Sequence, residues 1–389
     1  MAVAVPERSP VPGRSVTASD NVAIVEVTTP DRVTAFIDLP YRMYADDSHW
    51  VPPLRRDERH RLSPRNAFFS HADIRLWLAE RHGEVVGRIA AIDDRAYNET
   101  HRQAITWFGF FESADGKTAA ALLTAVESHA RQKASVAVYG PVNPSLNESA
   151  GLLVEGFDSD PYVLMPHNPA GYQHQIAGAG YSKLKDLFAW HLDLRVPLPE
   201  RLARLSARVA RRSGVTLRTL DKAAFERELG VVLEIYQAAW GDNWGFVPPT
   251  EAEAKQLADT LRPIIDPEIV VFAEVDGRAV GCAVAVPDAN QVLKRMRGRV
   301  FPFGIVHFLR RRSIMNRSRM FLLGVRPEFR HTGLYPLLVA ETYQRGRGRY
   351  VEGELSWTLE DNDAINAGIE AAGGRHYKTY RLYSKPLCD

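Results

Sequence analysis

The stretch Arg330-His331-Thr332-Gly333-Leu334-Tyr335 is where residue type and spacing first suggest chemistry. It stands between an apolar run, Met320 to Val325, and a pattern that reads as a helix. The first amides of a helix have no intrahelical acceptor, and the positive end of the helix dipole lies behind them. A glycine at 333 lets an anion reach the backbone with no Cβ in the way, while Arg330 and His331 add charge at the rim. Thr332, Leu334 and Tyr335 complete the candidate cradle. On spacing alone the same residues also make an ordinary strand-to-helix turn with solvated charges.

Further on, VEGELSWTLEDN puts Glu352, Glu354 and Ser356 on one strand face by alternation, with Glu360 and Asn362 at the mouth of the next helix. Carboxylates so placed suit proton transfer, and each also reads as a solvated carboxylate or a helix cap. The polar segment GPVNPSLNES offers Asn143 and Asn147 to a cleft, or simply forms turns. In AWGDNWGFVPP, Trp240 and Trp244 can wall an apolar channel or sit in a core without a ligand.

The elements that position these residues are written twice. LAERHGEVVGRIAAIDD (78–94) and FAEVDGRAVGCAVAVPD (272–288) match, with Glu80, Gly83 and Gly87 standing 194 positions before Glu274, Gly277 and Gly281. Each reads as strand, tight turn at the x-Gly pair, strand. Trp50 and Trp244, each shortly before Val-Pro-Pro, and Gly180 and Gly374 keep the same spacing. The expected plan is α/β in two tandem units: a tail at 1–21, a first unit at 22–195 and a second at 196–389, jointed at Arg195–Glu200 where two prolines resist helix and strand alike.

The 389 residues are too many for one ordinary core and suit two domains. A net charge of +2 gives no general pull toward nucleic acid, so basic function must be local. Two cysteines, Cys282 and Cys388, lack metal-ligand spacing and imply no disulfide framework; no metal is expected. The Pro/Ser-rich start reads as a disordered tail without a signal segment, and no run approaches the roughly 20 apolar residues of a membrane helix. A cytoplasmic protein is expected. Residues 290–319 interleave nine Lys and Arg with VFPFGIVHFL, which suits an interface with anionic lipid at the inner membrane face, and equally an acidic partner or a solvated excursion. Residues 199–212 repeat the theme, with Arg201, Arg204, Arg208 and Arg211 along one helical face.

The Arg330-x-x-Gly333 turn, followed by strand, Glu360-x-Asn362, helix, Gly-marked turn and a Tyr-rich last strand, resembles the GCN5-related N-acetyltransferase (GNAT) superfamily. The resemblance covers 215–389 directly and the first half through the duplication, and implies two tandem GNAT-like domains, each a mixed, mostly antiparallel sheet flanked by helices. It implies acyl-CoA as cosubstrate on 330–335, an amide from Gly324 or Val325 polarising the thioester carbonyl, and transfer to an amine that is a small molecule or lipid. Two positions depart from the pattern: Tyr335 replaces a small residue, and Ile369 stands where relatives carry Tyr. Glu354 and Glu360 are then the candidate bases and Tyr380, or Tyr383 on the same strand, the substitute proton donor, unless these aromatics are simply core. The first half, with Ser113 to Lys117 at its matching junction, reads as degenerate. The alternative reading is a non-catalytic acyl-CoA-binding or membrane-surface module; nucleic acid is not an expected partner.

Overall fold

A computed structural model describes residues 21–212, 214–241, 243–301 and 304–387. But for Asn21, the expected tail lies outside the described residues, as does Cys388. Thirteen strands form one sheet. They are β1 (Ala23–Glu26), β2 (Ala72–Arg81), β3 (Glu84–Asp94), β4 (Ile105–Ser113), β5 (Ala137–Gly140), β6 (Leu152–Glu155), β7 (Ser182–Asp193), β8 (Val215–Thr219), β9 (Val270–Val275), β10 (Arg278–Pro287), β11 (Arg317–Val325), β12 (Glu352–Leu359) and β13 (Arg375–Pro386).

The repeated hairpins are β2–β3 and β9–β10. Both turns hold two consecutive residues at positive φ: His82 and Gly83 at 52° and 81°, Asp276 and Gly277 at 51° and 75°. Such a turn matches the right-handed twist of the strands it joins. Gly87 and Gly281, the matched glycines after each turn, let a long helix close on the sheet. A Cβ on Gly87 would stand 2.7 Å from Thr118 Cγ2, and one on Gly281 would stand 3.2 Å from Leu338 Cδ1.

Helices cover both faces. In the first half Leu122, Leu123, Val126 and Ala130 of helix Gly116–Gln132 pack on Ile89 and Phe108, while Phe36 of helix Pro30–Met43 packs among Ala90, Ile92 and Phe110 on the other side. In the second half Leu337 and Leu338 of helix Leu334–Gly346 meet Val271, Ala273 and Ala283. Ile235 of helix Phe225–Trp240 meets Phe272, Cys282 and Leu322 opposite.

The halves join by exchanging their closing strands. The sheet runs β1-β2-β3-β4-β5-β13-β7-β12-β11-β10-β9-β8, so β13 of the second half lies against β5, and β7 of the first half lies against β12. β7 and β13 also pair with each other antiparallel, from Arg375 opposite His191 to Ser384 opposite Ser182. Without the exchange β5 and β12 would each present an open edge, and open edges invite foreign pairing.

Candidate active site

Parallel strands β11 and β12 pair from Arg317 opposite Glu352 to Met320 opposite Leu355, then part. At the open end of β11 the chain turns through Arg326, Pro327–Phe329 and Arg330 into helix Leu334–Gly346. The N–H groups of His331, Gly333, Leu334 and Tyr335 meet no main-chain acceptor among the described residues, and Gly333 sits at φ 84°. A Cβ there would lie 2.7 Å from Val209 Cγ2, on the helix Glu200–Arg212 that crosses this corner. Arg330 is braced by a 2.9 Å bond from Nη2 to the Ala239 carbonyl. The Tyr335 ring is partly buried with Val325 and Leu334, and burial pushes its pKa up. Gly324 backs onto Ile235.

Where β11 and β12 part, a polar cluster is buried. Arg319 and Glu354 are register partners, 3.5 Å apart as an ion pair, with 5 % and 1 % of their surface exposed. Ser356 joins them: its hydroxyl accepts from Arg319 Nε at 2.7 Å and donates to Glu354. Arg319 also donates to the Val163 carbonyl at 2.8 Å, and burial pulls its pKa down. The Tyr377 hydroxyl donates to the other Glu354 oxygen. Tyr380 is fully buried, and its hydroxyl has no hydrogen-bond partner among the described residues. Burial, reinforced by the Glu354 charge, pushes both phenols far above their usual range, so both stay protonated.

Tyr377 faces a cleft of about 630 Å³ between the two halves. Its roof is the first-half loop 156–162, and its floor includes His191, Arg317, Glu352 and His376. Lys378 holds the roof through bonds to the Gly156 carbonyl and, at 2.9 Å, the Ser159 carbonyl; burial pulls its pKa down. Arg317 pairs with buried Asp288 at 2.7 Å, and burial pushes Asp288 up to about 6. Glu352 accepts from His191 at 2.7 Å, which holds its carboxyl below the usual range. Three buried polar atoms beside this cleft lack partners among the described residues: Tyr162 Oη, Ser159 Oγ and Arg317 Nε.

The remaining candidates fall elsewhere. Glu360 accepts from the Asp186 N–H at 3.0 Å and pairs with Lys183 at 2.5 Å, tying β12 to β7. Asn362 caps helix Asp363–Ala371, accepting from Ile365 N–H. Trp240 lies 6.3 Å, ring to ring, from Trp357 at the parting of the strands, while Trp244 sits under Lys185. Asn147 bridges the halves, donating to the Val247 carbonyl and accepting from Tyr236. Arg317 and Arg319, which the sequence groups with the surface arginines, turn into β11. Sequence reasoning missed Tyr377, Tyr162 and Lys378; the one available signal was Lys378 set between Tyr377 and Tyr380 in the last strand.

The matching place in the first half is filled. β4 and β5 pair from Ile105 opposite Ala137 to Trp107 opposite Tyr139, then part. The gap is occupied by the chain itself: Val142 N–H bonds the Phe108 carbonyl at 3.0 Å, and Asn143 Oδ1 takes the Phe110 N–H at 2.6 Å. The N-terminus of helix Gly116–Gln132 is capped by Asp115, paired with Arg81 at 2.7 Å. That arginine holds the carboxyl far below its usual range, so an anion already sits at this helix end.

No model of a known protein family matches the chain. Among solved structures it is similar to a tandem GNAT protein from the clavulanic acid biosynthesis pathway (TM-score 0.57, 15 % identity, 95 % of this chain and 100 % of that one). A GCN5-related N-acetyltransferase from Sphaerobacter thermophilus is also similar (TM-score 0.51, 16 % identity, 95 % and 97 % covered). The fold is therefore a tandem GNAT, as the duplicated hairpin and the Arg330-x-x-Gly333 turn imply.

Sequence relatives narrow the class. The chain is 37 % identical over 377 residues to the bacterial ceramide synthase of Caulobacter vibrioides, covering 94 % of this chain and 98 % of that one. It is 32 % identical over 362 residues to protein YghO of Escherichia coli, covering 91 % and 92 %. The chain belongs to the family of these two proteins.

Proposed function

We propose that the protein is an N-acyltransferase that joins an acyl group from acyl-CoA to the amine of a long-chain, lipid-type acceptor. The observation that carries this reading is the buried Arg319–Ser356–Glu354–Tyr377 cluster, which lies where β11 and β12 part, with free helix amides at one end and a polar cleft at the other. Kinship with a protein named for ceramide synthesis supports the lipid-type acceptor, since a ceramide is an N-acylated long-chain amine.

In this reading the amides of His331, Gly333, Leu334 and Tyr335, with Arg330 at the rim, hold the pyrophosphate of acyl-CoA. The acceptor's head enters the cleft against Tyr162, Ser159 and Arg317. The amine nitrogen attacks the thioester carbonyl, a C–N bond forms and the C–S bond breaks. The amine's proton passes to Tyr377 oxygen as Tyr377 gives its own to Glu354. The proton so gained returns from Glu354 through Tyr377 to the departing thiolate, while the candidate donor Tyr380, buried and held protonated, backs the cluster. The second candidate base, Glu360, is held by Lys183 and the Asp186 N–H, and steadies the β7–β12 junction. A lipid acceptor reaches a protein whose described helices cannot cross a membrane at the membrane surface, so peripheral contact belongs to the same proposal.

The test is thiol release and amide mass, measured with purified protein, a set of acyl-CoA chain lengths and a panel of amines. The expected result is thiol release that requires a long-chain amine and falls about a hundredfold or more in Tyr377→Phe. Thiol release without amine, or a fully active Tyr377→Phe, would refute the assignment. One observation favours the alternative of a CoA-ester-binding module: the Tyr335 ring packs in one cluster with Val325, at the helix position where the resemblance expects a small residue. Thermal stabilisation by acyl-CoA without turnover under any amine would identify that case.

A further inference from the structure

Residues 290–319 contain nine Lys and Arg and no Asp or Glu. Two of the arginines, Arg317 and Arg319, turn inward on β11. The preceding residues fold as three short helices, Asn290–Met296, Gly304–Leu309 and Arg311–Ile314, whose inner side chains Val292, Met296 and Met315 pack on Leu54 of the first half. The outer side is unusual for a surface. Phe301 is 74 % exposed, Leu309 69 % and Val306 48 %, which makes them half of the six large exposed hydrophobics among the described residues. Around them Arg295, Arg297, Arg299, Arg310 and Arg312 are exposed, and none has an ion-pair partner among the described residues.

We propose that this face docks on an anionic phospholipid surface, with Phe301, Val306 and Leu309 in the headgroup boundary and the arginines on lipid phosphates. It deepens the lipid-acceptor reading, and rests on that reading only for the purpose of the face. Apolar side chains inside a ring of cations match a surface that is charged above and hydrocarbon below. A nucleic-acid backbone would use the arginines and leave Phe301 and Leu309 in water. An absence of carboxylates across thirty residues removes the local repulsion that would weaken attachment to an anionic surface.

The same segment is bolted to the cleft roof. Lys294 pairs with Asp160 at 2.6 Å, Asn290 donates to the Pro161 carbonyl at 2.9 Å, and Asp288 accepts from Val163 N–H at 3.0 Å. His49 holds the other Asp160 oxygen at 2.9 Å. Docking therefore sets the roof of the cleft against the membrane, on the side from which a lipid acceptor arrives.

The test is co-sedimentation of the full chain with vesicles of phosphatidylcholine alone or with phosphatidylglycerol added. The expected result is binding to the second only, released by salt. Replacing Arg295, Arg297 and Arg299 by Gln should weaken partition on the order of a hundredfold, at about fivefold per arginine. Phe301→Ser with Leu309→Ser should weaken it at least about tenfold. Both sets are exposed positions, and an unchanged melting temperature checks the fold. Equal binding to neutral vesicles, no binding, indifference to both sets, or preference for duplex DNA or an acidic protein over vesicles would overturn the proposal. Transfer to a long-chain amine presented in detergent, without vesicle binding, removes the docking face alone. Vesicle binding without transfer to any amine removes the enzymatic reading alone.

Discussion

The buried Arg319–Glu354 pair allows a quantitative test of the cluster. Breaking a buried ion pair by removing one partner generally costs about 3–5 kcal/mol, because the other charge stays behind uncompensated. Here each partner keeps other contacts: Arg319 retains Val163 and Ser356 oxygens, and Glu354 retains the Ser356 and Tyr377 hydroxyls. Both Glu354→Leu and Arg319→Met should therefore fall at the low end, about 3 kcal/mol each. The double variant removes both charges and leaves only neutral hydroxyls short of partners, a cost again of about 3 kcal/mol rather than the sum of about 6. Urea unfolding followed by tryptophan fluorescence measures all three, and acyl transfer measured on the same samples should be lost in each. Two results would refute the reasoning: singles within about 0.5 kcal/mol of the native chain, or a double that equals the sum of the singles. Either would mean that Arg319 and Glu354 do not act as one unit. A stable double variant that kept full activity would remove Glu354 from the chemistry.

Three further outcomes are expected. Gly333→Ala and Gly277→Ala each force alanine to φ near 80°, costing about 1–2 kcal/mol, but Gly277 has open space while Gly333 faces Val209; in thermal-shift measurements only Gly333→Ala should also lose stabilisation by acyl-CoA, and equal loss in both would contradict the cradle. His71 lies between Asp94 at 3.0 Å and Glu253 of the other half at 3.2 Å, and these bonds raise its pKa to about 9. Its contribution is full below the unfolded value near 6.5 and is lost as pH rises through 9, so stability should fall by about 1–2 kcal/mol across that window after solvent screening, and His71→Leu should flatten the slope. Finally, calorimetry of the full chain should show one transition, and residues 196–389 alone none, because that fragment lacks β5, β6 and β7, leaving β13 without a strand partner and β12 with one open edge; a cooperatively folding fragment would disprove the dependence.

Much of the architecture was legible because a hairpin leaves a dense local trace. The x-Gly pairs at 82–83 and 276–277 and the glycines at 87 and 281 report turn and packing within seventeen residues, and their repetition marks the duplication. The cradle was legible for the same reason: strand, small residue and helix are contiguous. The exchange of β7 and β13 was not, since an alternating strand looks the same whichever sheet receives it. Nor was the company of Glu354. Alternation put Ser356 beside it, but Arg319 and Tyr377 reach it only through the registers of β11 with β12 and of β7 with β13. Arg319 looked like one more member of a basic surface segment because nothing local marks where that segment dives into the sheet.

A duplicated fold has two partings of parallel strands and two exposed helix ends, and this chain treats them oppositely. In the first half Val142 and Asn143 fill the parting and Asp115 neutralises the helix end. In the second half both stay open, and the first half supplies the roof, with Val163 on Arg319 and Ser159 under Lys378. The strand exchange explains why the division is stable. β7 brings His191 from the first half into register with Glu354, and β13 carries Tyr377, Lys378 and Tyr380 between the halves, anchored on both sides. Opening the first parting again would take Asn143 from the Phe110 N–H, leaving that amide without its partner. Closing the second would bury the free amides of His331, Gly333, Leu334 and Tyr335 without acceptors. Each half is held in its state by the cost of leaving polar groups unpaired, so one half builds the walls and the other keeps the opening.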